Sequence, residues 1–189
     1  MANANTPFGL RPIFNSNGSP YNGNALICAF ASGDTAAAFV GDLVKLTGTA
    51  EATTGIPIVA QCAATDAIYG VIVGFEPNRA DLTLNYRAAS TVRYAMVCVD
   101  QGVMYVAQED SVGNNLAVTE VGLATDIVVG TGSTVTGASS VMLDSSDTAT
   151  AAGQVRILGL YRSPDNEIGT YAKWLVRINE SQLSVATDV

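Results

Sequence analysis

The chain contains no histidine among its 189 residues. That removes the commonest general base, so Ser-His-Asp and Cys-His mechanisms are closed to it, and zinc loses its usual nitrogen ligand. Charge is also scarce: 14% of residues are charged, 17 acidic against 9 basic, for a net charge of −8. A protein this acidic is repelled by phosphate backbones, which argues against direct nucleic-acid binding. Long apolar runs are missing too. None approaches the roughly 18 residues of a membrane span, and the opening MANANTPFGLRP lacks a basic stretch followed by an apolar one. No membrane contact and no secretion signal are therefore expected, and the protein should be made and used in the cytoplasm or leave by lysis. Cysteine is limited to Cys28, Cys62 and Cys98, an odd number with no CxxC pair. These read as small buried apolar residues, and neither a metal nor a cofactor is expected.

What is present is apolar and β-favouring. At 48% hydrophobic, the chain can furnish a core for one domain or two closely packed small ones without metal or disulfide staples. A mean hydropathy of +0.28 with so little charge suggests that much of the surface lies against protein.

Residues 1–23 carry Pro7, Pro12 and Pro20 among Asn, Ser and Gly, which excludes a helix and disfavours an interior strand. An extended N-terminal arm is expected. Its apolar residues would be wasted on a free tail, so it should pack along its own domain or a neighbour. Pro7, Phe8, Leu10, Arg11, Pro12 and Phe14 are the expected contacts with a neighbouring chain, reached by adding an extended segment to a sheet edge.

Residues 24–189 hold short runs bounded by turn residues: NALICAF, GDLVKLTG, IPIVAQC, IYGVIVGF, DLTLNYR, TVRYAMVCVD, GVMYVAQ, SSVMLD, QVRILGLYR and AKWLVRIN. About ten short strands at this density read as an all-β domain, a β-sandwich or jelly-roll-like barrel. Leu82, Leu84 and Tyr86 alternate with polar residues, as do Trp174, Val176 and Ile178, which predicts two strands with one wet face each. Val71, Ile72 and Val73, and Met96, Val97, Cys98 and Val99, are apolar on both faces and predict central strands. Val71, Val73, Val97, Val99, Trp174, Val176 and Ile178 are the expected core. Asp100, Gln101 and Gly102 read as a tight hairpin turn, with Gly102 supplying a positive φ. The best helix candidate is TAAAFV after Asp34, with coil as its alternative. Residues 111–153, rich in Gly, Ser, Thr, Ala and Asp, should form long polar loops or a β-excursion.

Candidate chemistry is thin. Asp144 with Asp147, and Asp165 with Glu167, could serve a glycosidase or bind calcium, but they lack flanking aromatics and the EF-hand spacing, and solvated loops are the expectation. GTGSTVTG has no Lys and does not match a phosphate-cradling loop. Only Lys45 and Lys173 are lysines; seven basic residues are arginine, which suits contacts buried between chains, although surface salt bridges account for it nearly as well.

TPFGLRP, NGSPYNG, FVGDLVKLTG, GVIVGFEP, GTGSTVTG and the C-terminal RILGLYRSPDN with IGTYAKWLVRIN together resemble a family of small head proteins of tailed phages, the capsid decoration or cement proteins. The resemblance runs from Pro7 to about Asn179, and its C-terminal block is the most specific part. It implies a structural virion protein on the outer capsid surface that binds the phage major capsid protein and stabilises contacts between its subunits. It also implies self-association, as a homotrimer or a dimer, and transfers no catalytic residues, so no enzyme is expected. A carbohydrate-binding β-sandwich using the loops at 111–152 for host attachment, or another minor head or tail protein, is the alternative.

Overall fold

The structure, a computed structural model, describes residues 3–184. The first and last residues of the expected arm and β domain lie outside that range. The fold is all-β. Its strands are β1 (Arg11–Asn15), β2 (Leu26–Phe30), β3 (Leu43–Ala50), β4 (Pro57–Gln61), β5 (Gly70–Phe75), β6 (Arg93–Cys98), β7 (Val103–Gln108), β8 (Ala124–Val128), β9 (Met142–Ala149), β10 (Val155–Leu160) and β11 (Lys173–Ile178). Five strands close into a barrel in the order β2-β4-β3-β5-β6, and the other six form a sheet in the order β1-β7-β11-β10-β8-β9.

Two cores explain the strands that are apolar on both faces. Ile72 and Val97 point into the barrel with Cys28, Phe30, Val44 and Val59. Val71 and Cys98 point the other way, into a larger core with Tyr105, Ile157, Trp174, Val176 and Ile178 from the sheet. Strands β5 and β6 thus serve one core on each face. Val73 packs half-buried against the larger core and Val99 against the barrel core. Met96 departs from this pattern, at 39% exposed on the outer wall of the barrel. The three cysteines are buried and unpaired, and burial pushes the Cys28 thiol up to about 11 and Cys62 up to about 12. Gln154 stitches the two halves, donating from Nε2 to the carbonyls of Ala63 (2.9 Å) and Asp66 (2.7 Å).

Several sequence expectations are corrected. DLTLNYR is not a strand but a series of turns, with Leu82 at 79% exposed. The Asp81 carboxylate accepts from the Thr83 amide (2.9 Å) and hydroxyl (2.6 Å), and this local capping outcompetes a ladder. Asp100 and Gly102 do form a turn, with the Val103 amide 3.2 Å from the Asp100 carbonyl. The strands it joins do not form a hairpin, because β6 enters the barrel and β7 the sheet. Gly102 also keeps a non-positive φ. TAAAFV is irregular, with Ala38 and Val40 in isolated bridges to Arg87 and Ala138. Residues 111–153 contain a single 3₁₀ turn (Val118–Glu120), β8 and the whole of β9, so the polar tract includes a β-excursion.

Asp42 sits where the barrel meets the arm. Its carboxylate accepts from the Phe39 amide (2.9 Å) and from Gln61 Nε2 (2.8 Å), while burial pushes its pKa up to about 6. The folded state then holds this proton more tightly than the unfolded one, so the group's contribution is full below the ordinary carboxylate range and is lost as the pH rises through about 6. That contribution is on the order of 2–3 kcal/mol. Asp42→Asn, whose amide oxygen can keep accepting from both the Phe39 amide and Gln61 Nε2, should show a flatter melting temperature between about pH 4 and pH 6 than the parent. An unchanged difference between the two pH values would contradict the assignment.

Candidate functional site

The arm does not float free. Gly9 (φ +71°) and Gly41 (φ +99°) lie back to back, each so close that a Cβ on Gly9 would fall 2.3 Å from the Gly41 carbonyl oxygen and one on Gly41 would fall 2.4 Å from that of Phe8. Only glycine fits both the approach and the left-handed backbone. The Leu10 amide donates to the Gly41 carbonyl (2.9 Å), and the Leu10 side chain, 1% exposed, enters the larger core. Beyond it β1 pairs antiparallel with β7 as the edge of the sheet. Pro12 is tolerated there beside a register shift between Pro12 and Phe14. The outer edge of β1 is closed by the chain itself, as the Tyr21 amide donates to Ile13 (2.9 Å) and the Asn15 amide to Ser19 (2.8 Å).

These facts redistribute the six expected contact residues. Leu10 is core and cannot reach a partner. The strand addition expected between chains is made within one, because the arm's own sheet offers β7 as its nearest free edge. Phe8, Arg11, Pro12 and Phe14 still reach solvent, and Pro7 is half-buried before them. The Arg11 guanidinium stacks over the Phe8 ring at 4.7 Å, and the pair forms the wall between two open hollows. One, of 460 Å³, runs between Leu10, Pro12 and the barrel residues Val40, Ile72 and Val73. The other, of 320 Å³, is bounded by Ile13, Val106, Tyr161 and Lys173.

A third hollow, of 670 Å³, opens around Gly159 and is lined by Phe14, Leu158, Leu160, Tyr161 and Leu175, with Arg162 at its rim. Gly159 causes it. The β10-β11 register shifts between Ile157 and Gly159, and a Cβ at Gly159 would meet nothing within 4 Å. The sequence signal for this feature was the lone glycine inside RILGLYR, which marks a bulge in a strand pattern.

Two of the carboxylates seen in the sequence, Asp165 and Asp144, are engaged locally. Asp165 Oδ2 lies 2.9 Å from Lys173 Nζ, and with Ser163 also donating to it, this pair holds the Asp165 carboxyl down at about 2. Asp144 accepts from the Ser146 amide (2.9 Å) and hydroxyl (2.7 Å). Glu109, fully buried just past the end of β7, accepts from the amides of Leu116 (2.6 Å) and Ala172 (3.2 Å), and burial raises its pKa against the pull of these donors. It ties the end of β7 to the loop at 111–116 and to the start of β11. GTGSTVTG is a surface turn closed by the Gly137 amide on the Ser133 carbonyl (2.8 Å).

Arginine is used in a way the composition did not reveal. Arg87 and Arg93 are buried within the chain, and both donate to backbone carbonyls of the loop at 76–91 and its neighbours. Arg11, Arg156, Arg162, Lys173 and Arg177 stand on or beside the six-stranded sheet, leaving Lys45 and Arg79 as the other cations that reach solvent. Comparison with protein-family models, with curated proteins and with solved structures finds no match for this chain.

Proposed function

We propose that this chain is a non-enzymatic structural protein of a tailed-phage head, bound to the outer surface of the capsid, where it cements contacts between major capsid subunits. The family resemblance supplies the setting. The observation that carries the reading is the outward ridge of Phe8, Arg11 and Pro12, standing between two open hollows and fixed to the body by the Gly9 and Gly41 crossing. A ridge already ordered before contact loses little conformational freedom on binding, which leaves more of each contact's energy as affinity. Arginine stacked on an aromatic ring is suited to burial between proteins, being weakly hydrated and already held in place. An interface of about 800 Å² per partner spans weak to tight binding, and many repeated copies on one shell make a modest single contact sufficient.

Deleting the arm would be a poor test, because it removes Leu10 from the core and β1 from the sheet. Arg11→Glu combined with Phe8→Ala leaves both in place. This variant should keep its melting temperature within a few degrees and lose at least tenfold in affinity for purified heads lacking the protein. Undiminished occupancy on such heads would sink the proposal that the ridge makes the contact.

A further inference from the structure

The hollow around Gly159 is mostly apolar and open, and the chain carries a knob of matching chemistry. Among the described large hydrophobic residues, the two most exposed are Val135, at 87%, and Leu82, at 79%. They sit on neighbouring loop tips, tied by Asn85 Nδ2 donating to the Val135 carbonyl (3.3 Å). Both tips are held in shape: Arg93 binds the carbonyls of Leu84 (2.8 Å) and Tyr86 (2.5 Å), and the Ser133 to Gly137 bond closes the other turn. Together they make a preformed apolar knob with the Asp81 carboxylate beside it. The hollow is lined mostly by apolar side chains, and Arg162 is the one charged residue in its lining. The Arg162 side chain has no hydrogen bond or ion pair among the described residues, and nor does the Arg177 side chain on the same sheet. Arg177 is also paired directly opposite Arg156 across β10 and β11, a like-charge arrangement that an external carboxylate would relieve.

We propose that a second copy of this chain fills the hollow head to tail, with Leu82 and Val135 of one copy entering the space around Gly159 of the next and Asp81 meeting Arg162. This rests on the reading of the chain as a contact protein and names the partner of one face. A hollow-to-hollow pairing is disfavoured, since it would set Arg162 and Arg177 against their own copies. A second copy instead brings the Asp81 carboxylate of its knob to the arginine-bearing face, a local match of opposite charges. Because knob and hollow are different surfaces, the contact is heterologous and generates a ring when its rotation closes.

The test uses two variants in the absence of heads, with mass read by light scattering. Gly159→Leu fills the hollow from within, in space that is open in the native fold. Leu82→Asp with Val135→Asp removes the knob at two exposed sites. The parent should form a multimer, and each variant should fall to the 19.5 kDa of one chain with a parent-like melting curve. An equimolar mixture of the two should form a one-to-one dimer, since the knob of the first still fits the hollow of the second. A monomeric parent, variants that associate as the parent does, or a mixture that stays monomeric would each overturn the proposal. Head binding is a separate readout, so loss of the capsid reading with self-association intact, or the reverse, identifies which has failed.

Discussion

Trp174→Ala should destabilise the protein by about 3–5 kcal/mol, lowering the melting temperature by roughly 10 °C or more. Trp174 is the largest fully buried side chain and sits in β11, between Ala107 of β7 and Leu160 of β10. Around it lie Tyr105, Leu116, Ile157 and Val176, in the core that joins sheet to barrel. Truncation to alanine removes the indole's burial and leaves a cavity that strands fixed in register on both sides cannot collapse to fill. Thermal denaturation of the variant checks this, and a parent-like melting curve would mean that the larger core does not hold the two halves together.

Arg87→Ala should be of comparable size, about 3–5 kcal/mol, for a different reason. The Arg87 side chain is fully buried. Its guanidinium donates to the carbonyls of Thr91 (2.9 Å), Ala31 (2.7 Å), Asp34 (2.8 Å) and Ala36, lies 3.5 Å from the Asp34 carboxylate, and stacks 5.2 Å over Phe30. Alanine removes every one of these donors and leaves the space of a fully buried side chain empty. Arg87→Lys should recover less than half of the loss, because a compact ammonium cannot span four carbonyls that a planar fork reaches at once. If lysine restored the parent's denaturation midpoint, charge alone rather than the fork would be holding the loop.

Sequence pattern exposed most of the fold, and its failures have physical causes. Period-two alternation found β11, and apolar runs found β5 and β6, because each buries side chains on a regular face. It missed β8, whose ATDIV carries polar residues inward: Thr125 is fully buried and its hydroxyl donates to the Asp144 carbonyl. It stopped β9 short for the same reason. Ser145 is buried because Asp110 Oδ1 accepts from its hydroxyl at 2.8 Å, and a partnered polar residue is invisible to a hydrophobic count. The reverse error was DLTLNYR, where perfect alternation suggested a strand and Asp81 capped a turn instead. The arm was legible as extended and apolar, yet what it packs against depended on Gly9 and Gly41, residues 32 positions apart in the chain whose meeting no local pattern records.

The arginine bias shows the same limit. Composition pointed to contacts between chains, and Arg87 and Arg93 turn out to brace the chain's own loops. The outward-facing Arg11, Arg162 and Arg177 are the ones left for partners, and they gather on one sheet because β1, β10 and β11 all belong to it, with β7 between β1 and β11.

The central claim is that this protein works by contact on the outside of a phage head. Imaging intact particles at a resolution that resolves β-sheet layers tests it most directly. The account predicts density for the barrel and the six-stranded sheet outside the capsid shell, bridging adjacent major capsid subunits through the Phe8 and Arg11 ridge. Density for the chain inside the shell or at the tail, or its absence from the particle, would contradict it.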